Sequence, residues 1–306
     1  MEASNEDIAS AVAVLRAGGI VAVPTETVYG LAADATNAGA VAQIYRAKGR
    51  PDFNPLIVHV YDLAVAQTLA VFGEYGLRLA AAFWPGPLTL VLPKRDDCPV
   101  VAAVTAGLDT IALRIPAHPL MRELLRQSGL ALAAPSANIS GAISPTTVAH
   151  VRAGLGNRAS MILDGGACEA GVESTIIALD PEGWRLLRPG PIAEAAIAEL
   201  IGPAAPAKDE GIRAPGQLAR HYAPSKPLRL NAAAAYEGEY LIGFGARSGA
   251  ENLSLRGDLA EAASHLFAAL HRAEASDYPA IAVVPIPHDG LGIAINERLS
   301  RAAHRD

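Results

Sequence analysis

The stretch IVAVPTETVYGL, residues 20–31, decides the fold. Its first four residues are apolar and rich in β-branched side chains, the composition of a short buried strand, and Pro24 stops the ladder because it has no backbone donor. Residues 25–31 are then polar enough to read as a loop at the strand's end. Upstream, Ser4 and Asp7 stand three apart, the spacing of a capping box, ahead of an apolar face made by Ile8, Val12 and Leu15; Gly18-Gly19 closes that helix. Downstream come a helix over 40–47, a basic turn Lys48-Gly49-Arg50-Pro51 and a strand over 56–60. Helix, strand, helix and strand alternate, so the fold class is α/β, in which loops at strand ends hold ligands.

Further strands are expected at 88–92, 110–115, 130–134, 160–163, 174–179 and 184–187, several of them consecutive without an intervening helix. That order favours a mixed sheet with helices packed on it over a doubly wound parallel sheet. From 202 to 227 the chain turns rich in Pro, Ala, Lys and Arg and loses apolar periodicity, which reads as a linker. It carries Arg213, Arg220, His221 and Tyr222, recognition groups that a plain tether does not need. Strands at 240–244 and 280–284 flank a helix striped by Leu259, Ala263, Leu266, Leu270 and Ala273. The expected division is a first domain over 1–202, a linker over 203–227 and a small α/β domain over 228–306.

With 306 residues the chain exceeds ordinary single-domain length, and its 51% hydrophobic but 5% aromatic content calls for an aliphatic core. A formal charge of −6 argues against a surface that coats nucleic acid. Cys98 and Cys168 are too far apart to suggest a disulfide framework or a zinc site. The acidic N-terminus lacks the pattern of a targeting peptide and no apolar run reaches membrane-spanning length, so the expected location is cytoplasmic, with no membrane partner.

Chemistry concentrates in four loops: 25–31, 48–55, 134–141 and 188–190. Lys48, Arg50, Arg114 and Arg188 stand at strand ends of an acidic protein, where cations suit a polyanion such as a triphosphate or bicarbonate. Ser136, Asn138, Ser140 and Ser144 add small donors for phosphate oxygens or for a hydrated magnesium ion. His59 ends an apolar strand beside the basic loop. The P-loop pattern is absent, as are the Gly-x-Ser-x-Gly elbow and the His-Glu-x-x-His helix. Gly154-Leu-Gly156 and Gly243-Phe-Gly245 read as turns.

Together, residues 25–31, 48–56, Thr110 with Arg114-Ile115-Pro116, 134–141, Ser174-Thr175 and Arg188-Pro189-Gly190 resemble the YrdC-like L-threonylcarbamoyladenylate synthases. His221-Tyr222-Ala223-Pro224 followed by a small domain resembles their long, two-domain form. The resemblance implies a twisted mixed-sheet YrdC-like fold around a large cleft, plus a Rossmann-like C-terminal domain, and a nucleotidyltransferase that uses L-threonine, bicarbonate and ATP with Mg2+. It implies that Thr27, His59, Arg114, Ala134 and Ser174 hold threonine. Arg50, Asn54, Thr110, Ser136, Ser144, Arg188 and Tyr222 would hold ATP, and Lys48, Arg50 and Asn138 would act at the reacting phosphates, the metal arriving on ATP instead of on protein ligands. The linker would serve as a lid over a hydrolysable carbamate, and the product would pass to a separate tRNA threonylcarbamoyl transferase. Two alternatives stand beside this reading: an RNA-binding YrdC-like module, and a carbamoyl-adenylate-forming carbamoyl transfer enzyme, whose companion zinc fingers need cysteines that are absent here.

Overall fold

The computed structural model describes residues 4–180, 182–206 and 221–304; most of the expected linker, with Arg213 and Arg220, lies outside them. The first helix, α1 (Asn5–Arg16), begins at the Ser4–Asp7 capping box and buries Ile8, Val12 and Leu15. It leads into β1 (Val21–Pro24), β2 (Tyr29–Asp34), α2 (Ala38–Lys48), β3 (Ile57–His59), α3 (Leu63–Leu69), α4 (Glu74–Phe83) and β4 (Leu88–Pro93). Next come α5 (Ala102–Thr105), β5 (Thr110–Arg114), α6 (Pro119–Ser128), β6 (Leu132–Ala133), α7 (Val148–Leu155) and β7 (Met161–Ile162). β8 (Thr175–Asp180), β9 (Gly183–Arg188) and α8 (Glu194–Ile201) complete this unit.

Its nine strands form one sheet in the order β7-β1-β2-β6-β3-β5-β4-β8-β9. β1 with β7, β3 with β5 and β4 with β8 run parallel, and the other neighbours antiparallel, so the sheet is mixed as expected. Two details of the sequence reading need correction. Residues 25–31 are loop only as far as Val28, because β2 starts at Tyr29; its first five residues are buried whichever way they face, so the strand has no polar alternation to reveal it. Strands that read as consecutive are also separated by α5, α6 and α7. Of these, α6 is bounded by Pro119 in its first turn and by Gly129 in the left-handed conformation, the usual punctuation of a short helix.

The second unit has β10 (Leu228–Arg229), β11 (Glu239–Gly243), β12 (Glu251–Asn252), α9 (Leu259–Ala275), β13 (Ala280–Val283) and α10 (Leu291–Ala303). Its four strands are all parallel, in the order β10-β13-β11-β12, with α9 as the crossover, a Rossmann-like arrangement. The two units do not have separate cores throughout. Val28, Ile143, Val172 and Tyr222 share an apolar cluster with Leu266, Phe267 and Leu270 of α9, which brings the second sheet's helical layer against the loops of the first.

Candidate active site

The mixed sheet brings the polar loops to one cleft. β3 and β5 are parallel and in register, so their last residues, His59 and Arg114, stand side by side. The loop after β1 supplies Thr25 and Thr27, the chain after β6 supplies Ala134 and Ser136, and Ser174 and Arg188 come from the adjoining ends of β8 and β9. His221 and Tyr222 close the cleft from the linker side. All five expected threonine residues line this space, as do Arg50, Ser136, Arg188 and Tyr222 from the expected nucleotide set.

Arg114 is anchored within the protein through all three guanidinium nitrogens, without using all five of its N–H groups. Its Nη1 donates to Thr27 Oγ1 at 3.0 Å, its Nε donates to the Gly86 carbonyl at 3.2 Å, and its Nη2 lies 2.7 Å from Glu26 Oε1 as a buried ion pair. Burial works to raise the Glu26 pKa, yet the Arg114 charge and hydrogen bonding, helped by the Ala117 amide, hold it below the usual value. His59 is pushed down to about 3, first by burial and then by the Arg114 charge, so its ring is neutral near pH 7. Its Nδ1 has no hydrogen-bond partner. A carboxylate beside a guanidinium, with an uncharged imidazole and hydroxyls around them, can receive both ends of an amino-acid zwitterion.

The opposite wall is cationic. Arg188 donates from Nε to the Ser174 carbonyl at 3.1 Å and from Nη2 to Ser174 Oγ at 3.0 Å, and Ser174 Oγ also meets Thr89 Oγ1 at 2.7 Å. Gly190 permits this approach, because a Cβ there would come within 2.4 Å of the Thr175 nitrogen. Arg50 donates to the Asn54 carbonyl at 3.1 Å and to the Pro55 carbonyl at 2.8 Å, and burial lowers its pKa to about 10. Lys48 is only 1% exposed, and its ammonium clamps the 136–138 loop by donating to the carbonyls of Ser136 at 2.5 Å and Asn138 at 2.6 Å. Burial, reinforced by the Arg50 charge, sets its pKa well below 10.5.

Five expected residues do not line the main cavity: Lys48, whose ammonium is spent on the 136–138 loop, and four others. Asn138 turns its amide onto the Ile139 and Ala142 carbonyls and borders a neighbouring cavity between the two units. Ser144 donates to Glu173 Oε1 at 2.5 Å. Asn54 is fully buried, and neither its amide nitrogen nor its amide oxygen has a partner. Thr110 begins β5, four residues or roughly 13 Å of strand from Arg114, on the side where Arg50 and Asn54 lie. The expected nucleotide residues therefore spread along a strand's length instead of enclosing a single point.

The cleft is constricted, with a cavity volume of about 40 Å³. Tyr222 lines the constriction. It is fully buried, its hydroxyl has no partner, and its backbone φ of +61° is in the left-handed region that a tyrosine rarely occupies. The sequence reading missed Glu26, Glu173 and Arg298 as parts of this site. Glu26 sits inside the quoted loop, whereas Glu173 had no motif to mark it.

A mixed-sheet cleft with an amino-acid corner and a cationic wall, capped by a parallel-sheet domain, defines a two-domain protein of the Sua5_yciO_yrdC class. Residues 13–190 match that family, described as Telomere recombination, and residues 192–304 match the Threonylcarbamoyl-AMP synthase, C-terminal domain. The chain belongs to the threonylcarbamoyl-AMP synthase family. It is 39% identical to a threonylcarbamoyl-AMP synthase of Bacillus subtilis, over 99% of this chain and 94% of that one. The crystal structure of Pyrococcus abyssi Sua5 complexed with L-threonine superposes with a TM-score of 0.88 at 38% identity, covering 97% of this chain and 94% of that one. A putative threonylcarbamoyl-AMP synthase of Mycobacterium tuberculosis is 40% identical over 66% of this chain and 92% of its own length.

His59 also predicts a pH dependence. Its folded pKa of about 3 lies below the ordinary 6.5, so an unfolded chain takes up a proton first as the pH falls. Its contribution to stability is complete above about pH 6.5 and is lost progressively down to about 3. Between pH 7.5 and 5.0 this amounts to about 2 kcal/mol. Urea unfolding of the wild type and of His59→Gln at the two pH values should show a difference of that size, and equal pH responses would contradict the assignment.

Proposed function

We propose that the protein is an ATP-dependent nucleotidyltransferase that converts L-threonine, bicarbonate and ATP to threonylcarbamoyl-AMP and pyrophosphate, for threonylcarbamoyladenosine modification of tRNA. The observation that carries this reading is one cleft lined by Arg114, Thr27 and His59 together with Arg50 and Arg188, with Glu26 paired to Arg114 behind it. Arg114 would hold the threonine carboxylate, and Thr27 and Ser174 its polar groups. The threonine amine, once deprotonated, attacks the carbon of bicarbonate and water leaves, or it adds to carbon dioxide; either route gives a carbamate. A carbamate oxygen then attacks the α-phosphorus and pyrophosphate departs with the bond's electron pair.

Two anions must meet in the second step. Arg50 and Arg188 offset their repulsion and the charge that develops on the leaving group, while Lys48 fixes the 136–138 loop beside them, so catalysis is positioning and electrostatics without a protein nucleophile. Magnesium belongs to this reading as the ion carried by the triphosphate, where it keeps phosphate and water ligands. Among the described residues no cluster of three or more His, Cys, Asp and Glu side chains is placed to cage an ion; hydroxyl and amide oxygens of the loops can accept from the waters of a hydrated one. No helix among the described residues is long and apolar enough to cross a membrane. A cytoplasmic site of action and transfer of the product to a separate tRNA-modifying transferase belong to the same proposal.

The division into 1–202, 203–227 and 228–306 fits the same reading, with the middle segment as the lid. Its described end supports this, since His221 and Tyr222 fill the cleft that the triphosphate must enter. Deleting residues 213–224 is expected to leave a folded protein that consumes ATP but yields little intact adenylate; full yield would remove the lid from the mechanism. The decisive assay for the function is pyrophosphate release with ATP and magnesium, omitting threonine and bicarbonate in turn while labelled threonine is followed into an adenylate. Release that requires both, with labelled adenylate formed, is the expected result. Release that is indifferent to threonine would reject the reading.

A further inference from the structure

Helix α10 buries Gly292, Ala294, Ile295, Arg298, Leu299 and Ala302 on one stripe, and Arg298 is the charged member. It is fully buried, and besides its neighbour Glu297 it meets Glu173 and Tyr222, which line the cleft, and Pro189, which follows Arg188. Its Nε donates to Glu173 Oε2 at 2.7 Å and its Nη2 donates to the Pro189 carbonyl at 3.0 Å. Its guanidinium carbon lies 5.1 Å from the centre of the Tyr222 ring, within cation–π range. Glu173 uses its other oxygen to accept from Ser144 at 2.5 Å. Ser144, the turn that follows Arg188, and Tyr222 are thus each held, directly or through one residue, by a single guanidinium from the second domain.

We propose that Arg298 is a positioning residue for the nucleotide side of the cleft, so that this side takes its working shape only when the second domain is docked. The proposal rests on the threonylcarbamoyl-AMP synthase reading in assuming that Ser144, Arg188 and Tyr222 face ATP. Docking alone does not call for a buried arginine. Apolar packing already joins the units, and at Gly171 the α9 backbone approaches so closely that a Cβ would come within 2.4 Å of the Ala263 carbonyl oxygen. A buried ion pair can often be exchanged for apolar side chains without loss of stability, so one that reaches Glu173 and Tyr222 of the cleft and the Pro189 carbonyl beside Arg188 acts on geometry. The Mycobacterium tuberculosis relative, which matches 66% of this chain over 92% of its own length, is a shorter protein; in this chain the additional domain reaches into the site.

The test uses full-length protein: wild type, Arg298→Met, Glu173→Gln and the double variant, in which no uncompensated carboxylate remains if the single Arg298 change fails to fold. Calorimetry measures the Kd for threonine and for α,β-methylene-ATP, which binds without being cleaved at the α-phosphorus. Initial rates give KM and kcat, and thermal unfolding reports the fold. The Kd for the nucleotide analogue should rise at least about tenfold in Arg298→Met, and in the double variant relative to Glu173→Gln, while the threonine Kd stays within about twofold. A folded variant with a nucleotide Kd near its reference, or with both affinities falling in step with the melting temperature, would overturn the proposal. If the wild type binds the analogue and Arg298→Met does not, yet the wild type makes no adenylate, the functional reading fails and the positioning role stands. A wild type that does not bind the analogue refutes both.

Discussion

Arg114→Met is expected to reduce threonine affinity about a hundredfold and to destabilise the protein by about 3–5 kcal/mol, because it removes the proposed partner of the threonine carboxylate and one half of a buried ion pair together. The two losses can be separated. Glu26 is 8% exposed; burial pushes its pKa up, and the Arg114 charge and hydrogen bond, together with backbone donors, bring it below the usual value. Once Arg114 is gone, burial raises the Glu26 pKa above its unfolded value. The contribution of that carboxyl then reverses in sign: it is fully present below about pH 4.5 and is lost as the pH rises through the new folded value. The variant should therefore lose less stability at pH 5 than at pH 7.5 relative to wild type. Adding Glu26→Gln should recover most of the stability at pH 7.5 while threonine affinity stays low. If the double variant regains threonine affinity as well, Arg114 serves the fold alone and the carboxylate must bind elsewhere. Chemical denaturation at two pH values with threonine calorimetry on the three proteins decides the matter.

What could be read from the sequence follows from how local each signal is. The Ser4–Asp7 cap, the strand before Pro24 and the stripe of α9 are written within one element, and the structure has each of them. β2 was hidden because a strand buried on both faces carries no alternation, and α5 to α7 because short helices offer little periodicity. The site behaved in the same way. Loops rich in Thr, Ser, Asn, Lys and Arg announce themselves, and most of those residues meet in the cleft. Glu173 has significance only through Arg298, which lies 125 residues further along the chain, and no local pattern encodes such a distance. One signal was available for Arg298: a charged residue among Ile295, Leu299 and Ala302 on the apolar stripe of a helix, where burial requires a partner. Read that way, the stripe would have shown that the second domain contributes to the site.

Lys48→Met should have the largest effect on turnover, lowering kcat by about a hundred- to a thousandfold, the range found when one preorganised electrostatic donor is removed. The proposed threonine corner of Arg114, Thr27 and His59 shares no hydrogen bond with Lys48, so threonine affinity should be retained. Without the ammonium, the carbonyls of Ser136 and Asn138 lose a charged donor, and the loop that carries both residues loses the clamp that sets it against the cleft. Lys48→Arg should not rescue the activity, because a planar guanidinium needs more room than a fully buried ammonium with partners at 2.5 and 2.6 Å leaves it. The charge on Lys48 should also appear in the pH–rate profile. Burial and Arg50 place its pKa well below 10.5, so the ammonium is lost at a lower pH than in an ordinary lysine. The wild type should show an alkaline fall in kcat at that lower pH, and the residual activity of Lys48→Met should not. An identical alkaline limb in both proteins would assign it to another group and leave Lys48 with a structural task only.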